Sequence, residues 1–445
     1  MNPNVSNESQ ELTQIAQRCL ELAKAGGATA AEAAASSGKG LSLTVRLGEV
    51  ESVEYHRDKG LGITVYVGER KASASTSDFS EQALRDTVEA ALHIARHTAP
   101  DPFAGLADPA LLATAFPDLD LYHPWLVDAD TAAEIARRCE ASARNLDPRI
   151  KNSEGASIGT GEGLSVYANS LGFMGITQGS RHSLSCSVIA DDGQGMQRDY
   201  WYDVARSADD LMTPEQIGEI GAQRALRRLG SRKIPTCSVP VLFENQVAAS
   251  LLGHFAQAIS GGTLYRKMSF LQDSLGKTLF PSSLRIYEEP LRRRGLASTA
   301  FDGDGVATHN RDLVRDGVLQ GYLLDSYSAR KLGMQSTGNA GGAHNLTLAP
   351  GTQDLPSLLR QMQRGVFVTE LIGFGVNGVT GDYSRGAAGF WVEGGEIQYP
   401  IEEITIASTL PQMFRGMIAV GNDLLIHGST GSPSVLIEEM TVAGN

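Results

Sequence analysis

Apolar residues near the N-terminus follow first the period of a helix and then the period of a strand. Residues 9–25 carry an apolar stripe at helical spacing that a glycine pair ends, which predicts an amphipathic helix. Between residues 41 and 67 apolar and polar positions alternate, so we predict a meander of short antiparallel strands. The helical period returns near residues 80–97. A stretch rich in Pro, Ala and Asp, residues 100–124, is typical of a linker.

The same order of elements recurs further along the chain. The pattern predicts a helix at about residues 131–145, then strand-like segments through about Val204, then a closing helix. Thr213, Pro214 and Gln216 form a capping-box start for that closing helix, with proline at its first position. The second region therefore repeats the helix–strands–helix order of the first.

Three regions follow from this pattern. Residues 1–117 and 118–232 are either two α+β regions or one continuous α+β domain, and both interpretations stay open. Residues 233–445 are rich in glycine and strand signals, which predicts a mostly β C-terminal domain. The predicted fold class is α+β, with N-terminal helix–antiparallel-strands–helix regions followed by that domain. The C-terminal domain carries a few packed helices, predicted at residues 246–259, 323–332 and 354–363.

Charge and composition exclude several classes of protein. With 38 Lys and Arg against 51 Asp and Glu, the formal net charge is −13, which argues against nucleic acid or an anionic membrane surface as the main partner. No apolar run approaches the roughly 18 residues of a transmembrane helix, and the polar N-terminus does not resemble a secretory signal. The cysteines are widely and irregularly spaced, so we expect buried free thiols in a reducing cytoplasm. They are Cys19, Cys139, Cys186 and Cys237.

Two motifs that suggest ligand sites have simpler interpretations. The sequence GTGEG at residues 159–163 resembles a phosphate loop, but strand signals flank it and no helix follows, so we predict a hairpin turn. His93 and His97 have a spacing that could chelate a metal on a helix, yet no third ligand is local. We therefore expect these histidines to occupy the exposed last turn of a helix.

Residues 240–262 predict a short strand, a turn and a helix with a single histidine, His254. A zinc site on a helix needs a second ligand three to five residues away. None of the residues at those distances is a usual zinc ligand: Ala249, Ser250, Leu251, Gln257, Ala258 and Ile259. His254 lies at one edge of the apolar stripe. It is either a half-buried histidine with one hydrogen-bond partner or a residue of a cleft that meets substrate or a partner chain.

Several ordered motifs make the chain similar to the TldD/PmbA family, and within it to the PmbA branch, also called TldE. The resemblance runs over nearly the whole chain. The motifs are ASLLGHFAQAISG (249–261), GVLQGYLLDSYSARKLG (317–333), STGNAGG (336–342), VNGVTGDYSRGAAGFWVEGGEIQYPIEEITIAS (376–408) and IAVGNDL (418–424).

The resemblance implies an assembly of two kinds of subunit. TldD-type subunits are zinc peptidases that carry HExxxH on the equivalent helix, and a cysteine near the C-terminus completes their site. They pair with PmbA-type subunits, and the pair cleaves peptides, including leader peptides of peptide antibiotics and small unfolded antitoxins. We therefore expect a TldD-type partner that holds the zinc and an unfolded peptide as substrate.

The catalytic positions of the family do not carry over to this chain. On the degenerate metal helix, residues 246–260, Gly253 stands at the first metal histidine, His254 at the glutamate and Ala258 at the second histidine. No cysteine follows Cys237. Gly and Ala cannot coordinate zinc, and histidine is a poor substitute for a carboxylate that takes a proton from metal-bound water. We expect no catalytic residues, metal or cofactor in this chain, and no peptidase activity from it alone.

The glycine-rich β segments around residues 371–395 are candidates for a cleft that receives an extended peptide, since a sheet edge binds peptides with little dependence on sequence. With His254, the polar residues to test first are Asn377, Asp382, Ser384 and Arg385. The alternative for these four residues is turn chemistry in the loop.

Three hypotheses for function remain. The first is a non-catalytic partner subunit of a heteromeric metallopeptidase. The second is a free-standing hydrolase with an unrecognised nucleophile. The third is a peptide-binding homodimer with no enzymatic role.

Overall fold

The protein has an α+β fold in a computed structural model that describes residues 3–444, which confirms the predicted fold class. Met1, Asn2 and Asn445, which belong to the predicted regions 1–117 and 233–445, lie outside the described residues. The helices are α1 (Pro3–Ala25), α2 (Glu81–His97), α3 (Ala129–Leu146), α4 (Pro214–Leu226), α5 (Asn245–Ala258), α6 (Gly261–Tyr265), α7 (Ser326–Leu332), α8 (Leu355–Met362) and α9 (Leu410–Arg415).

The strands form three six-stranded sheets, in the orders β3-β2-β1-β4-β5-β6, β10-β9-β8-β11-β17-β16 and β14-β13-β12-β7-β18-β15. Their bounds are β1 (Ala30–Arg46), β2 (Glu49–Val67), β3 (Arg70–Thr76), β4 (Ile150–Asn169), β5 (Met174–Asp191), β6 (Met196–Ala205), β7 (Cys237–Phe243), β8 (Ile286–Glu288), β9 (Arg311–Arg315), β10 (Val318–Leu319), β11 (Leu346–Leu348), β12 (Gly365–Ile372), β13 (Asp382–Glu393), β14 (Glu396–Thr409), β15 (Met417–Val420), β16 (Leu425–His427), β17 (Thr430–Ser432) and β18 (Val435–Ala443).

The first sheet joins the two predicted N-terminal regions. Strand β1 pairs with β4 in antiparallel register from Glu32 opposite Asn169 to Val45 opposite Ala156. This continuous ladder favours the interpretation of one α+β domain, while the predicted boundaries at residues 117 and 232 stay predictions. The helices that flank the strands match the predicted ones, and the side chains of Thr213 and Gln216 form the predicted capping box of α4.

The predicted hairpin turn at residues 159–163 is wrong. These residues lie inside β4, where Gly161 is opposite Gly40 and Gly163 is opposite Gly38 of β1. A Cβ added at Gly40 would lie 2.3 Å from the ring of His56 and 2.4 Å from the carbonyl oxygen of Thr160. Glycine here permits close approach between neighbours in the sheet and does not mark a turn.

Two separate cores rest on one face of the first sheet. Strand β1 contributes alternate residues to both, because residues two apart in a strand point to the same face. Ala31, Ala33 and Ala35 pack with α1 and α2, whereas Leu41, Leu43 and Val45 pack with α3 and α4. The polar residues between these two runs, from Ser36 to Gly40, are not fully buried.

The C-terminal region is mostly β, as predicted, and its largest core joins the second and third sheets. Helices α5, α7 and α8 correspond to the predicted ones. Helix α7 begins only at Ser326, later than the predicted residue 323, because the carboxylate of Asp325 caps it by accepting the backbone N–H of Ser328 at 2.6 Å. Within residues 3–444 no helix has the length and apolarity needed to cross a bilayer.

A buried ion network connects the N-terminal domain to the start of α5. Arg224 on α4 donates to Asp199 on β6 at 3.2 Å and to Glu244, the residue before α5, at 2.9 Å. Arg227 donates to the other oxygen of Glu244 at 2.9 Å, and Arg228 reaches Glu370 on β12 at 2.5 Å. The side chain of Arg224 is only 9% exposed, and its removal would leave Asp199 with Arg228 at 3.6 Å and Glu244 with Arg227 as their remaining partners.

We therefore expect Arg224→Met to lower the free energy of unfolding by about 3 kcal/mol, the lower end of the usual cost of breaking a buried ion pair on one side, because each carboxylate keeps a second arginine. Guanidinium chloride unfolding followed by tryptophan fluorescence measures this, since Trp201 lies 5.3 Å below the Arg224 guanidinium.

Arg18→Met is the matched control. It breaks an ion pair with Glu81 at 2.6 Å, but both side chains are well exposed, at 36% and 50%. We expect a far smaller change from this variant, because water and salt screen the exposed pair. Equal losses in the two variants would contradict a special role for the buried network.

Candidate functional site

Helix α5 is held at both ends. At its start the N–H of Glu244 donates to the carbonyl of Val368 at 2.9 Å, and the Glu244 carboxylate belongs to the ion network. Beyond its end the N–H of Gly261 donates to the carbonyl of Leu323 at 2.8 Å. The buried residues of the helix recur at helical spacing: Ala248, Leu251, Leu252, Phe255 and Ala258. The positions that the resemblance aligns with metal ligands are thus fixed relative to β12 at one end of the helix and to the segment before α7 at the other.

The side chains at those positions do not form a donor set. Gly253 is exposed, and a Cβ built on it would have nothing within 4 Å. His254 is half-buried, and Ala258 is buried. In the part of the chain that the structure describes, no three His, Cys, Asp or Glu residues come together as they would around a metal ion, His93 and His97 included. The residues present therefore do not fit a zinc ion.

A cavity of about 240 Å³ lies beside the C-terminal half of α5. Helix α5 supplies one wall, the segment before β13 and β13 itself supply another, and α9 contributes Leu410. The charged group of its lining is Arg385, and no acidic residue is found among the described residues that line it. The lining consists of His254, Gln257, Ala258, Thr263, Met268, Phe270, Phe374, Val376, Gly378, Arg385 and Leu410.

Two buried polar atoms of this lining, Nε2 of His254 and Nε of Arg385, have no hydrogen-bond partner among the described residues. Tyr383 lies outside the lining, and its buried hydroxyl is close to the guanidinium of Arg385. The rings of His254 and Tyr383 meet edge to face at a centroid distance of 6.1 Å. His254 is half-buried, and its Nε2 has no partner among the described residues, so the choice between the two interpretations of this histidine stays a prediction. Buried polar atoms without a partner are uncommon, since each costs free energy.

The electrostatics of the three side chains are coupled. Burial lowers the pKa of His254, and the positive charge of Arg385 lowers it further, so the imidazole is neutral near pH 7. Burial raises the pKa of Tyr383 to about 12, although the nearby Arg385 opposes that shift. The cavity thus presents a neutral imidazole and one guanidinium, with the protonated phenol of Tyr383 next to them outside the lining.

The structure brings two of the predicted cleft residues together and separates the other three. His254 and Arg385 line the same cavity. Asn377, Asp382 and Ser384 are exposed. Oδ1 of Asn377 accepts the backbone N–H of Val379 at 2.9 Å, and Oδ2 of Asp382 accepts the hydroxyl of Thr380 at 2.5 Å. Those contacts are turn chemistry, the alternative that the sequence left open, and a substrate role for all five residues stays a prediction.

Sequence reasoning missed Tyr383 and Phe374. Tyr383 lies between Asp382 and Ser384 in a strand whose alternation places it inside, 1% exposed, while both neighbours face outward. Phe374 is 98% exposed at the mouth of the cavity. An aromatic flanked by glycines, as in Gly373-Phe374-Gly375, was the available signal for an exposed loop residue.

The glycine-rich segments only partly line the cavity. Gly378 is in the lining, but a Cβ at Gly375 would lie 1.9 Å from the carbonyl oxygen of Ser384, and one at Gly389 would lie 2.0 Å from that of Phe367. Gly375 and Gly389 are thus required for close packing between neighbouring segments. Of the predicted free thiols, Cys19, Cys139 and Cys186 are buried, whereas Cys237 is partly exposed at the start of β7.

Comparisons with known proteins identify one family along most of the chain. Three models of PmbA/TldA metallopeptidase domains match it: domain 1 over residues 31–95, the central domain over residues 122–229 and the C-terminal domain over residues 236–444. The metalloprotease PmbA of Escherichia coli O157:H7 is 50% identical over 440 residues, which cover 99% of this chain and 98% of that protein.

Solved structures share the fold. A crystal structure from Bacteroides thetaiotaomicron, named for the modulation of DNA gyrase, superimposes with a TM-score of 0.92 at 28% identity and covers 97% of this chain and 99% of its own. TldE from Thermococcus kodakarensis, at 19% identity, supports the fold alone, with a TM-score of 0.82 over 97% of this chain and 100% of its own. Together with the full-length identity to PmbA, the matched domains confirm the predicted resemblance: the chain belongs to the PmbA/TldD metallopeptidase family.

Proposed function

We propose that this chain is the non-catalytic subunit of a heteromeric peptidase, in which a TldD-type partner holds the zinc and this chain holds the unfolded peptide. The observation that carries the proposal is the helix α5 itself. Family membership predicts metal ligands on this helix, but Gly253 and Ala258 offer no donor atom. The third position, His254, is a neutral imidazole beside a guanidinium, which disfavours a bound cation.

The cavity supports the peptide-holding part of the proposal. It is concave, mostly apolar and lined by a few polar groups, as small-molecule and peptide sites usually are. Under this proposal the substrates are the unfolded peptides of the family, antibiotic leader peptides and small antitoxins, and the complex works in the cytoplasm. The free cysteines support a reducing compartment.

Purification of the chain alone and with a TldD-type protein from the same organism tests this function. We expect far less than one zinc per chain in the isolated protein by mass spectrometry. We expect cleavage of an unfolded peptide only by the mixture, and its loss on addition of a chelator. One tightly bound zinc per chain, with cleavage by this chain alone, would overturn the proposal.

Two further results would point to the other hypotheses. Cleavage by the isolated chain that survives a chelator and stops with a serine-directed reagent would support a free-standing hydrolase. Peptide binding by a homodimer that never associates with the TldD-type protein would support the non-enzymatic binder.

Gly253 gives a prediction of its own. Its backbone is helical, and an added Cβ would meet nothing, so Gly253→Ala should raise the free energy of unfolding by about 0.5–1 kcal/mol and leave partner-dependent cleavage unchanged. Thermal unfolding and the cleavage assay measure the two effects.

Gly261→Ala is the matched control, because its Cβ would lie 2.0 Å from Oγ and 2.5 Å from Cβ of Ser328. We expect that variant to be destabilised. Loss of stability in Gly253→Ala would show that the position has a packing role that its open surroundings do not indicate.

A further inference from the structure

The cavity beside α5 contains one cation and no visible counter-ion. An arginine guanidinium stays protonated at all ordinary pH values and presents donors in a planar fork. Nε of Arg385 is buried without an acceptor among the described residues, and the lining described above contains no Asp or Glu. A partly buried charge without a partner is costly, so the site favours an anion.

One neutral group of the lining could complete the coordination of an anion. His254 is neutral and can donate from one ring nitrogen, and its Nε2 is unpaired in the described part of the chain. Tyr383 is only 1% exposed and lies outside the lining, close to the guanidinium of Arg385, so it acts on that guanidinium as a positioning residue. A guanidinium and an imidazole on the same cavity wall are donors suited to a planar oxyanion.

The remaining walls indicate what accompanies the anion. Phe270, Val376 and Leu410 make the interior apolar, and Met268 and Phe374 are exposed at 51% and 98% although they line the same cavity. The volume of about 240 Å³ lies below the roughly 300–1,000 Å³ of sites that enclose drug-sized ligands. One apolar residue with its carboxylate suits this space better than a phosphorylated or nucleotide ligand.

We propose that this cavity binds a peptide carboxylate, which pairs with Arg385 and accepts a hydrogen bond from His254. Tyr383 positions the Arg385 guanidinium from behind, and an adjacent apolar side chain of the peptide packs against Phe270 and Phe374. The carboxylate is either the C-terminus of the peptide or an Asp or Glu side chain. The inference deepens the proposed function, because a peptide held here would be the substrate of the complex.

Binding to the isolated full chain tests the inference separately from cleavage. The probes are three fluorescein-labelled unstructured peptides: one that ends in Gly-Leu with a free carboxylate, the same peptide amidated, and an amidated peptide with an internal Glu-Leu. Fluorescence anisotropy gives their dissociation constants. We expect the free acid to bind at least tenfold more tightly than the amidated Gly-Leu peptide. Tight binding of the amidated Glu-Leu peptide would show that the cavity also binds a side-chain carboxylate. Weak binding of that peptide would show that the cavity binds only the C-terminal carboxylate.

Variants identify the groups that make the difference. Arg385→Gln should abolish the preference for the free acid, and Tyr383→Phe, which keeps the buried ring, should weaken binding of the free acid severalfold and leave binding of the amide unchanged. Arg315→Gln is the matched control: Arg315 is 62% exposed on β9 and pairs with Asp312 instead of lining the cavity. It should leave all three dissociation constants unchanged.

The result that overturns the inference is equal affinity of the wild-type chain for all three peptides. Equal weakening by Arg315→Gln and Arg385→Gln would also overturn it, since it would reduce the effect to net charge. If Arg385→Gln proves unfolded by circular dichroism, Tyr383→Phe decides alone. Partner-dependent cleavage without a carboxylate preference would leave the proposed function standing and reject only this site.

Discussion

The carboxylate of Glu244 is the interaction on which the geometry of the candidate site depends. Glu244 occupies the N-cap position of α5, but its side chain does not cap the helix. Both of its oxygens accept hydrogen bonds from Arg224 and Arg227, at 2.9 Å each. A charge that could have stabilised the helix start is used instead to tie α5 to the N-terminal domain. The position of α5, and with it the position of His254 relative to the N-terminal domain, is therefore fixed by this contact.

The same helix shows how a metal position can change its electrostatic character. A zinc site gathers neutral or negative donors around a cation. Here two of the family's ligand positions are Gly253 and Ala258, and the charge that faces the third position is the guanidinium of Arg385. The absence of donors alone would leave an uncharged surface. Under the proposed function, the guanidinium of Arg385 makes this cavity one that disfavours a cation and favours an anion.

Periodicity in the sequence predicted the elements but not their pairing. The helices followed from apolar spacing and from capping residues such as Thr213, because both signals are local. The turn expected at residues 159–163 failed for the opposite reason. The glycines of this segment lie inside β4, where Gly161 is opposite Gly40 of β1, and Gly40 packs closely against His56. That close approach depends on the register between two strands that are distant in the sequence. Local reasoning reads glycine as a turn unless the neighbouring strand is known.

The sequence likewise indicated individual residues of the candidate site but not the contacts between them. The family motif indicated the helix, and polar composition indicated Arg385, yet the contact between His254 and the strand β13 joins residues far apart in the chain. Tyr383 had no signal of function, since a tyrosine in a strand is ordinary. Its proposed role rests on near-complete burial next to the guanidinium of Arg385, which only the folded chain reveals.

A carboxylate site has a consequence for the choice of peptide under the proposed function. Pairing with a sheet edge reads only the main chain, so it holds any extended segment and fixes no register. A guanidinium that pairs with one carboxylate adds a single fixed point along the peptide. If that carboxylate is the C-terminus, the fixed point is common to every unfolded peptide, and the distance from it to the partner's zinc would set where the chain is cut. The complex would then accept many peptide sequences, because the sheet edge binds only the backbone. It would still select one cleavage position, because the carboxylate pairs with one guanidinium.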